Sequence, residues 1–107
     1  QAKIENQNDV RPQLISNGDI KNYNIIFVGT PVWWYTMASP VKTFLAYHNW
    51  DNKVIVPFCT HGGGGASNTY SDMQKIAQSA KVLNGYTSYE NSAKIEDIKT
   101  WINSLNL

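Results

Sequence analysis

Two short segments of this 107-residue chain hold the residue types best suited to chemistry: Thr30-Pro31-Val32-Trp33-Trp34-Tyr35-Thr36-Met37 and Cys59-Thr60-His61-Gly62-Gly63-Gly64-Gly65. The first sets three aromatic side chains in a row on an expected loop spanning residues 30–39, where burying all three internally is difficult. Rings offered at a ligand edge suit a planar heterocycle, because stacking adds about 0.5–1.5 kcal/mol beyond area burial. The plainer use of the same rings is to cover helix ends. The second segment frees its backbone of Cβ sterics, so successive N–H groups can converge on an anion or on a row of carbonyl and nitrogen acceptors. A flexible turn would use the same glycines. No Gly-Lys-Ser/Thr follows the run, so it is not a Walker sequence, and it is not a dinucleotide G-x-G-x-x-G with its downstream acid.

Cys59 and His61 stand two residues apart, so a strand continuing through Thr60 would turn both to one face, as a Cys–His nucleophile requires. At the end of an apolar run, Cys59 reads instead as a small core residue. The histidines His48 and His61 are far apart with no carboxylate cluster beside either, which gives no metal-ligand pattern. His48 falls near a helix end and reads as structural or solvated, and Asp72, Glu96 and Asp97 read as solvated charges on helix surfaces.

The elements that must position these segments follow from hydrophobic periodicity. Ile25, Ile26, Phe27 and Val28 run uninterrupted to Gly29, and Lys53 to Cys59 repeats the pattern; such runs predict strands buried on both faces. Pro57 cannot donate to a ladder and predicts a bulge or an end of pairing just before Cys59. A short third strand begins at Val82 and Leu83 and ends near Gly85 or Tyr86, followed by a polar loop from Thr87 to Ser92. Ser39 is the expected N-cap of a helix with Pro40 at its first position, Val41, Phe44, Leu45 and His48 on one face, and Asn49, Asp51 and Asn52 closing it. Trp50 falls in that closing turn, at the end of the sheet away from the two segments. A second helix is capped among Ser67, Asn68 and Thr69 and carries a stripe of Met73, Ile76, Ala77 and Ala80. The last helix repeats Ile95, Ile98, Trp101, Ile102 and Leu105 at helical spacing. Upstream, Gln1 to Asp9 reads as a helix tail, Pro12 as a loop, and Asn17, Gly18 and Asp19 as a turn. The alternation of helix and strand predicts an α/β fold, a doubly wound parallel sheet with right-handed crossovers. Ligands of such sheets sit beyond the carboxyl ends of the strands, where both segments fall.

Length bounds the chain to one domain at most, with a modest core unless another segment or subunit completes it. A hydrophobic content of 42% and a formal charge of +1 point to neither nucleic acid nor an anionic membrane as partner. The lone Cys59 excludes an internal disulfide and a multi-Cys metal site and fits a reducing compartment, so a cytoplasmic location is expected. No apolar run approaches the roughly 20 residues of a membrane span, and the polar start is not a signal peptide. With no initiator methionine, Gln1 is expected to be a processing product or a boundary set from outside.

Taken in order, Tyr23-Asn24-Ile25-Ile26-Phe27-Val28-Gly29-Thr30-Pro31-Val32-Trp33-Trp34, then Ser39-Pro40-Val41, then Pro57-Phe58-Cys59-Thr60-His61-Gly62-Gly63, resemble the flavodoxin family, in particular bacterial flavodoxin-like proteins with a Pro-x-Trp-Trp loop. The likeness runs from about Pro12 to Leu107. It implies a partial flavodoxin-like sheet of three parallel strands with flanking helices, and FMN bound non-covalently at the strand ends. By the same resemblance Thr30, Pro31, Val32, Trp33 and Trp34 would flank the isoalloxazine, while Thr60, His61, Gly62 and Gly63 would face its pyrimidine side. Electron or hydride transfer to an unidentified redox partner would then need no acid–base side chain, because the flavin carries the electrons and the protein tunes it.

The family opens on a strand, a Ser/Thr-rich phosphate loop, a helix and a second strand, and none of these is matched. Residues 1–107 are therefore expected to form a single, incomplete domain, with FMN binding weakened by loss of the phosphate anchor. In the 2-1-3-4-5 strand order the unmatched first strand would lie beside strand 24–29, leaving that edge open as a pairing template. Either the missing part lies elsewhere or a second copy covers the edge as a homodimer. The competing function is a non-redox module that self-associates there.

Overall fold

The computed structural model describes residues 20–90 and 92–107; the expected helix tail, the loop at Pro12 and the turn at residues 17–19 lie outside them. β1 (Ile25–Trp33) pairs in parallel with β3 (Val54–His61), from Ile25 opposite Val54 to Pro31 opposite Thr60. On its other side β3 pairs in parallel with β4 (Lys81–Val82), where the third strand is expected to begin, and with β5 (Tyr86–Tyr89), at and beyond its expected end. A short β2 (Thr36–Met37) folds back antiparallel on the end of β1. Helices α1 (Ser39–Tyr47) and α2 (Thr69–Ile76) cover one face, and α3 (Ile95–Ser104) packs on the other, which is the flavodoxin-like α/β arrangement.

The core lies under α1 and α2, where Val28, Met37, Leu45, Ile55, Met73 and Ala77 are buried. Each fully buried large side chain there contributes about 1.5–3 kcal/mol. Trp50 sits at the expected end of the sheet but is buried, its Nε1 donating to the Leu45 carbonyl at 2.8 Å. The opposite face differs from expectation. Ile25 and Phe27 are 43% and 48% exposed, so β1 is not buried on both sides among the described residues. Among the described residues only α3 reaches that face, through Trp101 set edge-on to Phe27, and α3 itself has no fully buried residue.

Pro57 neither bulges the strand nor ends it. The Leu83 N–H donates to the Ile55 carbonyl, so Ile55 points its backbone groups toward β4, and alternation turns Pro57 the same way. Its missing N–H therefore falls opposite residues 83–85, the gap between β4 and β5, and the ladder to β1 continues past it. Thr30 to Trp33, expected in a loop, continue β1, because the extended β3 offers partners as far as Thr60 and the chain then reverses in two residues. Thr87 to Tyr89, expected in a polar loop, belong to β5: pairing with Phe58–His61 overrides a sequence without apolar alternation.

The helix caps also shift. Ala38, not Ser39, is the N-cap of α1, and its N–H donates to the Thr30 hydroxyl at 2.9 Å. α2 ends at Ile76; Ala77 and Ala80 are buried beyond it, where the Gln74 amide donates to both of their carbonyls.

Candidate functional site

β1 and β2 are joined by two residues, Trp34 and Tyr35, with φ of 50° and 73°. Positive φ at both central positions is the type I′ pattern, which matches the right-handed twist of the flanking strands and is usually built from Asn-Gly. Two aromatic residues hold it here against a cost of about 1–2 kcal/mol each. External anchors fix the turn: the Asn68 N–H donates to the Tyr35 carbonyl at 2.9 Å, and the Thr36 hydroxyl donates to Asp72 at 2.6 Å. Asp72 is thus a half-buried acceptor, not the solvated charge the sequence suggests.

The glycine tract leaves the end of β3. Gly63 and Gly65 have φ of 139° and 72°, a region glycine enters freely and other residues rarely. Their N–H groups do not fan outward: both donate to Nδ1 of His61, at 3.0 and 3.1 Å. A ring nitrogen that accepts carries no hydrogen, so the neutral imidazole has its proton on Nε2. The Tyr89 ring packs against His61 with centroids 5.5 Å apart.

Hairpin and tract meet at one rim, the carboxyl ends of β1 and β3. Between them lies a cavity of about 480 Å³ lined by Val32, Trp34, Tyr35, His61, Gly62, Gly64, Gly65 and Ser67. That is within the usual range for small-molecule sites, and among the described residues no Asp, Glu, Lys or Arg lines it. Trp34 and Tyr35 lie 5.3 Å apart at 55°, and both are exposed.

The sequence-expected residues divide. Val32, Trp34, His61 and Gly62 line the cavity. Thr30 lies beneath it, buried, donating to the Pro31 carbonyl at 2.7 Å and accepting from Ala38. Strand alternation puts Pro31, Trp33 and Thr60 on the opposite face of the sheet, and Gly63 lies beside Tyr89, outside the lining. Tyr35, Gly64, Gly65 and Ser67 complete the wall. Tyr35 was signalled by its place in the Trp-Trp-Tyr run, and Gly64 and Gly65 by the glycine run; Ser67 carried no signal.

Cys59 shares the face of His61, since β3 does continue through Thr60, but it is 1% exposed and the accepting nitrogen of His61 is already engaged. Its sulfur lies 3.3 Å from the Tyr70 hydroxyl, which donates to the Tyr86 carbonyl at 2.8 Å and lies 2.8 Å from the Thr87 hydroxyl. Burial, with the Cys59 hydrogen bond second, pushes the Tyr70 phenol well above its ordinary range, so it stays protonated. The ring closes over Gly85, where an added Cβ would approach it to 2.3 Å. Together these residues tie α2 to β5 behind the cavity.

Elsewhere, a depression of about 270 Å³ among Ile20, Lys21, His48, Asn49, Asp51 and Lys53 lies at the other end of the sheet. An apolar groove of about 260 Å³ on the open face is lined by Phe27, Phe58, Tyr86, Ile98, Trp101 and Ile102. Among the described residues no three His, Cys, Asp or Glu side chains cluster as metal ligands, and no helix is long and apolar enough to cross a membrane.

The flavodoxin family model matches residues 2–105, and the chain belongs to that family. In structure it is similar to a candidate flavoprotein from Bacteroides eggerthii DSM 20697, with 26% identity, 99% of this chain and 67% of that one covered, and a TM-score of 0.84. A candidate flavoprotein from Bacteroides uniformis ATCC 8492 gives 28% identity, 95% and 65% coverage, and a TM-score of 0.81. A flavoprotein from Lactobacillus acidophilus NCFM, solved in complex with FMN, gives 25% identity, 94% and 65% coverage, and a TM-score of 0.64. The chain spans about two thirds of the length of these relatives. No curated protein matches it.

Proposed function

We propose that this chain is the ring-binding part of an FMN-dependent redox domain. The carrying observation is the cavity at the strand ends, with aromatic rings on one wall and glycine backbone on the other. The similar flavoprotein solved with FMN supports the choice of ligand. A flat, largely apolar heterocycle with a polar edge fits these walls. Val32, Trp34 and Tyr35 pack against its faces, and His61, Gly62, Gly64 and Gly65 meet its polar edge. Thr30 and Gly63 shape the two walls from behind, while Pro31, Trp33 and Thr60 bound the rim on the other face.

The phosphate is a different matter. Among the described residues no Lys or Arg lines the cavity, so we place the phosphate anchor outside these walls and read residues 1–107 as one incomplete domain. Bound FMN supplies electron or hydride transfer. The protein's own part is to bind and orient the ring and to exclude water from its face. The lone buried thiol of Cys59 fits a cytoplasmic setting. Adding excess FMN to the purified chain should shift the flavin absorbance and quench its fluorescence. An unchanged spectrum at high protein concentration removes the redox reading.

One observation favours a second reading, self-association without redox chemistry. From Ile25 to Pro31 the far edge of β1 has no strand partner among the described residues, and Phe27 and Phe58 stand exposed beside it. Such an edge is a template for a second copy. Equilibrium sedimentation giving a monomer would exclude that reading.

A further inference from the structure

The glycine tract has no side chains of its own to fix its shape, yet it forms one wall of the cavity. The N–H groups of Gly63 and Gly65 both donate to one nitrogen of the His61 imidazole, which anchors the tract. His61 is held in turn by β3, by its register with Tyr89, and by the bond from the Glu90 N–H to its carbonyl at 2.8 Å. We infer that neutral His61 is a positioning residue that fixes the glycine wall through Nδ1, and that this fixes Nε2–H as the donor the imidazole offers to an acceptor atom of the ligand. The ligand side of this inference rests on the FMN reading; the positioning side does not.

A proton on the imidazole makes both nitrogens donors. Nδ1–H would then face two N–H groups, and both bonds would be lost. The wall is therefore held while the ring is neutral and released when Nδ1 gains a proton. The titratable groups around His61 are few. Tyr89 packs edge-on from β5, Glu90 follows it, Tyr35 stands across the cavity, and Cys59 lies two residues back in contact with Tyr70. Among the described residues no carboxylate lines the cavity.

Nitrogen-15 NMR of the ligand-free chain tests the positioning role. Long-range correlations should give the Nε2–H tautomer, and the Gly63 and Gly65 amide signals should move on acidification with the same midpoint as the imidazole. His61→Asn keeps an acceptor oxygen near Nδ1 but does not titrate, so both amides should stay hydrogen-bonded and become flat with pH; His61→Leu should lose them at every pH. An Nδ1–H tautomer, or glycine amides that ignore the imidazole midpoint, overturns the inference. With FMN as probe, affinity should fall about tenfold across that midpoint, the equivalent of one net hydrogen bond, and should stay constant in His61→Asn. If FMN binds neither protein, the FMN reading fails while the amide shifts still decide the role of His61.

Discussion

The hairpin turn and the glycine tract wall one cavity by opposite means. At Trp34 and Tyr35 large side chains do the lining, while the backbone is held in a left-handed conformation by Asn68 and, through Thr36, by Asp72. At Gly62 to Gly65 the backbone does the lining, and the His61 side chain accepts two of its N–H groups from within, while the Ser67 hydroxyl donates to the Gly64 carbonyl at 3.5 Å. Strain is stored in the first wall and almost none in the second. The turn should therefore tolerate changes that relax its backbone but not the loss of its rings. The tract should be sensitive only where its φ is positive.

Removing a ring is expected to have the largest effect. Trp34→Ala should weaken FMN binding ten- to a hundredfold, from about 1.5–3 kcal/mol of aromatic burial, with little change in Tm because Trp34 is 43% exposed. Trp33→Ala, on the opposite strand face, should cost less; titrations giving the reverse order would break the assignment of walls. Next in size come the left-handed glycines. Gly63→Ala and Gly65→Ala should each weaken binding several- to tenfold, from about 1–2 kcal/mol of backbone strain. Gly62→Ala and Gly64→Ala, whose added methyl meets nothing within 4 Å, should stay within about twofold. Equal effects at all four would mean that the tract is not held as described. The smallest effect is a gain. Trp34→Asn combined with Tyr35→Gly gives the turn its preferred residues and should stabilise the fold by about 1 kcal/mol, raising Tm by about 4–8 °C while binding is lost. A melting curve without that rise would place the strain elsewhere.

How far the sequence reveals this molecule differs from wall to wall. The two apolar runs that became β1 and β3 were legible because burial against helices demands continuous hydrophobicity, and their order placed both loops at one rim. The hairpin was not legible: a type I′ turn is usually announced by Asn-Gly, and Trp-Tyr does the work here only because α2 anchors it from a distance. β5 was hidden for a related reason, since Tyr86-Thr87-Ser88-Tyr89 pairs through its backbone with a strand that its own side chains do not signal. Glycines at the rim were legible as a conformational licence, but not their engagement by His61, which depends on where the chain goes after Gly62. The open face was misread because hydrophobic residues announce that they should be covered, not what covers them; Phe27 and Phe58 remain exposed.

The most direct test of the central claim is an amide chemical-shift map of the chain titrated with FMN. Largest shifts at Val32, Tyr35 and Gly62 to Gly65 are predicted, with the far-end residues Asn49 to Lys53 unmoved. Shifts centred on those far-end residues, or on the open face around Phe27 and Trp101, would contradict the account.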